Sequence, residues 1–285
     1  MSAGAGEVEQ HSTAVTVIGP ETGVRLPDLA EIWAYRDLLY YLVRRDFLVR
    51  YKQSLVGLLW AVLQPIGFTV VFSVFLGALA NVPSQHGIPY PLFALAGLAM
   101  WLFFSKALQS GAESTVNSAD LLSKIYFPRV LIPLSALLAA TVDFLVALVV
   151  VVVALFVYGR PPGPEILALP AVIVLAMLVA FGGALWFSAL FVRYRDIRHL
   201  LAFVLLAGMF VTPIVYPFEL VPHGLQPLYA LNPLVGVLEL YRWALFGTLS
   251  ASVTVLLIPF AVGIVTVVTG ALYFRASEGT FADVI

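Results

Sequence analysis

The residues of this sequence best suited to chemistry are a group of basic side chains placed directly before a long uncharged, apolar segment. They are Arg44, Arg45, Arg50 and Lys52, with Tyr51 among them. A guanidinium group can bind two phosphate oxygens at once, so this group could bind a phosphate at a membrane surface. The same side chains could instead fix the orientation of the chain and bind anionic lipid in general. The sequence leaves both interpretations open.

A second candidate is Asp143, the one acidic residue deep inside an apolar segment. It could relay a proton or an ion, or it could be a buried acid that bonds to neighbouring helices and serves assembly. Glu239 and Arg242 are three residues apart, so we expect a local ion pair there rather than a binding site. Lys106 is expected to extend its ammonium group towards the nearer membrane surface.

Several kinds of site are excluded or disfavoured by the residues present. The sequence has no cysteine, which excludes disulfides, thiolate metal sites and cysteine nucleophiles. Its four histidines lie far apart, so we expect no metal site built from them. None of its lysines follows a glycine as a P-loop requires, so the chain cannot bind ATP by that route. No arrangement typical of hydrolysis or group transfer is present, which disfavours an enzyme.

The composition predicts an all-α membrane protein. Apolar residues make up 61% of the chain and charged residues 11%, and the mean hydropathy is +1.00; a soluble domain has about a quarter of its residues charged. Only Arg160 and Arg242 of the fifteen Lys and Arg residues fall on the outer side if both termini are cytoplasmic, so we predict that orientation. Six transmembrane helices are predicted, at about 55–79, 91–110, 130–158, 166–192, 199–217 and 252–273.

The chain divides into three predicted parts. Residues 1–26 are expected to form a flexible cytoplasmic tail, since they lack the features of a signal peptide. Residues 27–52 should form an amphipathic helix at the membrane interface, and residues 53–285 the six-span domain. Within that domain, the polar segment 111–129 is a predicted cytoplasmic loop with a short helix. The apolar segment 217–247 is so often interrupted by Pro and Gly that we expect re-entrant helices on the outer side.

Side chains on the first and fifth predicted spans are candidates for lining a channel. An aromatic face with an occasional polar group can hold the apolar faces of sugars, although most aromatic stripes in membranes contact lipid or other helices. The candidates on the first span, spaced to share one face, are Trp60, Gln64, Phe68, Phe72 and Phe75. Those on the fifth span and its end are Phe203, Phe210 and Tyr216. The pair Gly182-Gly183 is expected to permit close approach of helices rather than to bind a ligand.

Five landmarks together give a family resemblance. The first is the pattern R-Y-K-x-S-x-x-G-x-x-W-x-x-x-x-P, whose fixed positions are Arg50, Tyr51, Lys52, Ser54, Gly57, Trp60 and Pro65. The others are SKIYFPRVLIP at 123–133, RYRDI at 193–197, TPIVY at 212–216 followed by LNPL at 231–234, and Phe274-Arg275…Glu278…Phe281-Ala282-Asp283. From about residue 28 to the C-terminus, the chain resembles the membrane subunit of bacterial ABC exporters for polysaccharides and polyol phosphates.

This resemblance implies export of a lipid-linked polysaccharide, such as an O-antigen, a teichoic acid or a cell-wall glycan, across the bacterial cytoplasmic membrane. It implies a homodimer of this chain in contact with membrane lipid and bound to two copies of a separate P-loop ATPase subunit, which would hold the ATP and Mg²⁺. The chain itself would be a permease subunit without a cofactor or a nucleic-acid partner. The diphosphate of the lipid-linked substrate would approach the basic group around Arg44, Arg45, Arg50, Tyr51 and Lys52.

Coupling to an ATPase requires cytoplasmic elements that the ATPase can push, and the loop helix around Glu113–Lys124 is the main candidate. The candidate coupling residues are Glu113, Asp120, Lys124, Arg193, Arg195 and Asp196. Three other functions stay open. The chain could export a drug or a lipid with the same architecture, it could be an ion-coupled carrier that uses Asp143 and no ATPase, or it could be a membrane assembly scaffold.

Overall fold

The computed structural model of the chain describes residues 29–52, 54, 56–82, 85–122, 124–194, 196–249 and 252–284. All regular secondary structure in these residues is helical, which confirms the predicted all-α class. The predicted tail 1–26 lies outside the described residues.

The α-helices of the described part follow the chain with short connections. In order they are α1 (Leu29–Ala34), α2 (Arg36–Tyr51), α3 (Trp60–Phe72), α4 (Tyr90–Asn117), α5 (Ala119–Leu122), α6 (Leu131–Val157), α7 (Leu169–Arg193), α8 (Ile197–Val211), α9 (Gln226–Ala230), α10 (Pro233–Phe246) and α11 (Val253–Val284). A 3₁₀ turn at Gly57–Leu59 precedes α3, and a π-helical segment at Ser73–Leu79 extends it. Further 3₁₀ turns occur at Gln85–Gly87, Pro164–Ala168 and Phe218–Leu220.

Within the described residues, five helical segments are long and apolar enough to cross a membrane. They are Gly57–Leu79, Tyr90–Asn117, Leu131–Val157, Pro164–Arg193 and Val255–Gly279. The predicted fifth span, 199–217, is instead occupied by α8, which has 15 residues. The helix ends there because Thr212 turns to an extended conformation before Pro213, and a residue that precedes proline disfavours the α region.

The helix α4 is the centre of the packing. It is buried along most of its length, and its most extensive contacts are with α6 and α7. It also continues through the first part of the segment 111–129, where a separate short helix in a loop was predicted. The helix is continuous here because α4 stays packed on α7: Gly111 lies against Ala184, and the Thr115 and Ser188 hydroxyls share a hydrogen bond of 2.5 Å.

The helices α7 and α11 approach each other closely at glycine, as predicted from the sequence. A Cβ atom added to Gly182 would lie 2.7 Å from the Val267 backbone nitrogen, and one added to Gly270 would lie 2.6 Å from the Gly182 carbonyl oxygen. A helix that carries small residues at such a crossing can bring its backbone within contact distance of its neighbour.

The two ends of the bundle carry different elements. At one end, α2 packs across the start of α6, where Leu42 is buried with Leu131 and Ile132. At the other end, the segment 217–247 forms the short helices α9 and α10. The predicted local pair is present on α10, where Arg242 Nη1 donates to Glu239 Oε1 at 3.2 Å.

Candidate functional site

The carboxylate of Asp143 is the centre of a charged cluster that joins three helices. Arg50 of α2 donates from Nη1 to Asp143 Oδ2 at 2.5 Å. Lys106 of α4 places Nζ 2.6 Å from the same oxygen. The Tyr51 hydroxyl donates to Oδ1 at 2.5 Å. Asp143, in the middle of α6, therefore holds both the end of the interface helix and the second span.

The local sequence explains why Arg50 and Tyr51 reach this position. They form the last turn of α2, shortly before the first span. Gly57, at the start of that span, has a φ of +54°, a conformation that residues with a Cβ rarely adopt. The Gly57 amide donates to the Ser54 hydroxyl at 2.9 Å. The Ser and Gly positions of the sequence pattern therefore contact each other in the connection between α2 and α3.

The cluster contains more positive than negative charge. Arg50 and Lys106 are both cations, and Asp143 is the only carboxylate of the described residues within 4.0 Å of either. Burial, and then the hydrogen bond to Asp143, raise the pKa of the Tyr51 hydroxyl well above its ordinary value, so Tyr51 stays a neutral donor. The cluster thus carries one unbalanced positive charge.

An ion pair within α2 is also connected to α6. Arg45 Nη2 lies 2.8 Å from Asp46 Oδ1, and the Ser135 hydroxyl of α6 donates to Asp46 Oδ2 at 2.7 Å. Arg44 and Lys52 are exposed. The predicted phosphate-binding group is therefore divided: Arg44 and Lys52 face outward, whereas Arg45, Arg50 and Tyr51 are held by partners within the protein.

A cavity of about 310 Å³ with both polar and apolar walls lies between α3, α4 and α6, and Lys106 and Asp143 of the cluster line it. Its polar lining residues are Gln64, Ser105, Lys106, Gln109 and Asp143. The Gln64 amide makes no side-chain hydrogen bond to any residue that the structure describes. Pro65 also lines the cavity and has no N–H to donate to the Ala61 carbonyl one turn earlier, so the wall of the cavity includes a backbone acceptor without its helical donor.

Most of the predicted channel-lining residues of the first span are exposed on the single chain. Trp60, Gln64, Phe68 and Phe75 are all exposed, and Gln64 also lines the cavity. Phe72 is half-buried and packs against the core around α4. Residues twelve apart on an α-helix are rotated by about 120° relative to each other, so Phe72 lies at the edge of the face that Trp60 begins.

On the fifth predicted span, the aromatic candidates are divided in the same way. Phe203 and Phe210 are exposed on α8. Tyr216 is half-buried, and its hydroxyl donates to the carbonyl of Phe210 at 2.9 Å. Tyr216 therefore closes the end of α8 with a hydrogen bond.

The predicted coupling residues gather at one end of α4 and around the start of α8. Glu113 lies on α4, with Oε1 3.9 Å from Arg198 Nε of α8. Asp120 lies on α5 and Lys124 in the turn that follows it. Two more lie beside α8: the Arg193 guanidinium carbon is 5.4 Å from the centre of the Tyr194 ring, and Asp196 directly precedes the helix. Arg195 lies outside the described residues.

Sequence reasoning missed the partnership of Lys106 with Asp143. Lys106 was expected to extend towards the membrane surface, but it points to a carboxylate on the neighbouring span. A signal was present: Asp143 is the one deep acid, and Lys106 is the first charged residue after Lys52. Opposite charges in adjacent apolar segments are candidates for pairing, because an unpaired charge there is costly.

The family of the chain follows from comparison with known proteins. A model of the family described as ABC-2 type transporter matches residues 37–246, which include Arg50, Lys106 and Asp143. The chain belongs to the ABC-2 type transporter family. It is accordingly a multi-pass protein of the inner membrane.

Several curated members of the ABC-2 family are similar to this chain over most of their length. The O-antigen export system permease protein RfbA of Klebsiella pneumoniae is 28% identical over 250 residues, which cover 87% of this chain and 95% of the relative. The protein of the same name from Myxococcus xanthus is 28% identical over 258 residues, 90% of this chain and 98% of the relative. The polysialic acid transport protein KpsM of Escherichia coli is 24% identical over 240 residues, 82% of this chain and 91% of the relative.

Proposed function

We propose that this chain is the transmembrane subunit of an ATP-driven exporter of a lipid-linked polysaccharide. The observation that carries the proposal is the similarity to O-antigen export permeases over 95% and 98% of their length. The similarity to a polysialic acid transport protein supports polysaccharide as the class of cargo. An O-antigen, a teichoic acid or another cell-wall glycan fits this class.

In this proposal the chain crosses the membrane six times, with both termini in the cytoplasm. The helix α8 is the fifth crossing, and the residues that follow it complete the passage to the outer side. The helices α9 and α10 are re-entrant elements of the outer half. The distribution of Lys and Arg supports this orientation, because the opposite one would place most of them outside.

The chain works as a homodimer with two copies of a P-loop ATPase subunit, which bind ATP and Mg²⁺. In support, α8 and the helix formed by α3 with its π-helical extension each leave a broad apolar face exposed on the single chain, with Phe75 of the extension and Phe203 of α8 both more than half exposed. A second copy could cover these faces and enclose a path between them. Coupling to the ATPase runs through the end of α4, where Glu113 meets Arg198, and through α5.

The environment of Asp143 disfavours the ion-coupled alternative. A carboxylate that relays protons must exchange them during the cycle. Asp143 is instead bonded to two cations and a tyrosine hydroxyl from two other helices, an arrangement typical of an ion pair that joins helices. This arrangement fits a role in assembly and in binding better than one in proton transfer.

The test is purification of the chain from native membranes in a mild detergent, followed by identification and stoichiometry of its partners. We expect a P-loop ATPase at one copy per copy of the chain, and ATP hydrolysis by the complex. Deletion of the gene should remove a glycan from the cell surface and leave its lipid-linked form inside. A chain that purifies alone, in cells whose surface glycans survive the deletion, would contradict the proposal.

A further inference from the structure

We propose that the cavity between α3, α4 and α6 is a phosphate-binding site within the inner half of the membrane. In this site Lys106 binds the phosphate oxygens while Arg50 stays paired with Asp143, and Asp143 is also the counter-ion of Lys106 when the site is empty. The inference deepens the proposed function, on which it rests for the origin of the ligand, since a lipid-linked glycan can present a diphosphate at this depth. Binding itself requires neither ATP nor a partner subunit.

Electrostatics is the first argument for an anion. Two cations share one oxygen of one carboxylate, at 2.5 and 2.6 Å, so the cluster carries one unbalanced positive charge. An unbalanced charge beside apolar spans is costly, and an anion that enters the cavity removes this cost. Because the surroundings are less polar than water, the attraction exceeds that of the same charges on an exposed surface.

Access is the second argument. Asp143 is the most enclosed member of the cluster, with 7% of its side chain exposed, whereas the side chain of Lys106 is 36% exposed and lines the cavity. A ligand in the cavity therefore meets the ammonium group before it meets the carboxylate. Lys106 can turn from Asp143 to a phosphate oxygen by rotation of its flexible side chain, while Arg50 and Tyr51 keep Asp143 hydrogen-bonded.

The other polar lining residues can bind a small polar group, while the rest of the cavity wall is apolar. The amides of Gln64 and Gln109 can donate to phosphate oxygens, and the Gln64 amide has no partner among the residues that the structure describes. A volume of about 310 Å³ is near the lower limit of ligand pockets, which suits a phosphate or diphosphate group but not a glycan chain. The site would hold the charged group of a lipid-linked glycan while the sugars lie elsewhere.

The test measures binding by the full chain in phosphatidylcholine nanodiscs with isothermal titration calorimetry. The probes are farnesyl diphosphate, inorganic diphosphate and farnesol. We expect farnesyl diphosphate to bind and farnesol not to bind. If inorganic diphosphate binds as tightly as farnesyl diphosphate, the site is one for free phosphate. If inorganic diphosphate binds much more weakly than farnesyl diphosphate, the site is one for a lipid headgroup. If neither diphosphate binds, the proposal is overturned.

Substitutions in the cavity and outside it test whether diphosphate binds at this site. Lys106→Met should raise the Kd at least about tenfold, because a charge-assisted bond to the ligand is lost, and Lys106→Arg should retain most of the affinity. Asp143→Asn should lower the Kd, because it removes the carboxylate that competes for both cations. Arg36→Met is the control, since Arg36 is exposed on α2 beside Asp37 and lies outside the cavity. It should leave the Kd unchanged.

A purely structural role of the cluster gives the opposite pattern. In that case a folded Asp143→Asn protein binds diphosphate more weakly or not at all, and Lys106→Met binds as the wild type does. If Lys106→Met does not fold, Gln64→Leu replaces it, with a Kd expected to rise several-fold. Export of glycan in cells distinguishes this inference from the proposed function. A chain that exports glycan but binds no diphosphate overturns only this inference. A chain that binds diphosphate through Lys106 but exports no glycan overturns only the proposed function.

Discussion

The guanidinium carbon of Arg242 lies 3.9 Å from the centre of the Phe93 ring, so the helix α10 is fastened to the central helix α4 by a cation on an aromatic face. The same guanidinium donates to the Ile214 carbonyl at 2.6 Å and to Glu239 at 3.2 Å. Arg242 and Glu239 are both only 2% exposed. This end of the helix bundle is therefore held by a buried ion pair whose members depend on each other.

Replacement of Arg242 should destabilise the protein strongly. Arg242→Met leaves the Glu239 carboxylate buried without its cation, a change that costs about 3–5 kcal/mol. The unfolding temperature of the purified protein in detergent measures the effect. Arg160→Met is the control, because Arg160 is exposed and, among the residues that the structure describes, the one hydrogen bond of its side chain is to the Gly87 carbonyl. Equal shifts of the unfolding temperature in the two variants would show that the buried ion pair contributes no more to stability than the exposed Arg160 does.

The position of Gly97 should not tolerate a methyl group. A Cβ atom there would lie 2.2 Å from the Ile214 carbonyl oxygen, so α4 or the segment at Ile214 would have to move. We expect Gly97→Ala to cost about 1–3 kcal/mol, measured as a lower unfolding temperature. Gly67→Ala is the matched control on α3, where no atom lies within 4 Å of the added Cβ. A Gly97→Ala protein as stable as Gly67→Ala would refute the tight contact.

Loss of the Asp143 carboxylate should release α2 from the spans. The chain has no native cysteine, so one introduced at the buried Leu42 reports on this contact through its reaction with a maleimide. Asp143→Ala should raise the labelling rate about tenfold or more, since hydrogen bonds to charged groups contribute about 1.5–3 kcal/mol each. A cysteine at Tyr41, which is 64% exposed, should react quickly in both backgrounds. Unchanged labelling at position 42 would mean that apolar packing alone holds α2.

The contact between Glu113 and Arg198 should matter for coupling rather than for stability. The two groups are 3.9 Å apart and partly exposed, so their attraction contributes at most about 1 kcal/mol. Glu113→Gln should leave the unfolding temperature nearly unchanged but lower the ATP hydrolysis of the complex severalfold. Glu219→Gln, which breaks a comparable exposed contact with His86 at 3.7 Å, is the control and should leave hydrolysis unchanged. Normal hydrolysis in the Glu113 variant would remove Glu113 from the coupling path.

The sequence predicts the long membrane helices well, because an uninterrupted apolar run is a signal that each segment carries by itself. It predicts α8 less well. The apolar run there continues past Val211, and only Thr212 before Pro213 indicates that the helix stops. The extension of α4 to Asn117 was missed for a different reason. The segment is polar, so a separate helix in a loop was predicted there, and its continuity with α4 depends on packing against Ala184 and Ser188, which are distant in sequence.

The charged cluster shows the same limit at the level of single side chains. The basic group around Arg50 is visible as a pattern, and Asp143 is visible as an exception in an apolar segment. Their contact joins residues 93 positions apart in sequence and cannot be read from either segment. The pair Glu239 and Arg242 could be predicted, since residues three apart on a helix lie on one face.

The shortness of α8 has a consequence for the lipid around it. A helix of 15 residues is about 22 Å long, whereas the hydrocarbon layer of a bilayer is about 30 Å thick. In the proposed six-span arrangement, acyl chains that face α8 would have to compress to match it, so the bilayer would be locally thinner beside this helix than beside the longer spans. A lipid headgroup that moves from one leaflet to the other next to α8 would then cross less hydrocarbon than beside those longer spans.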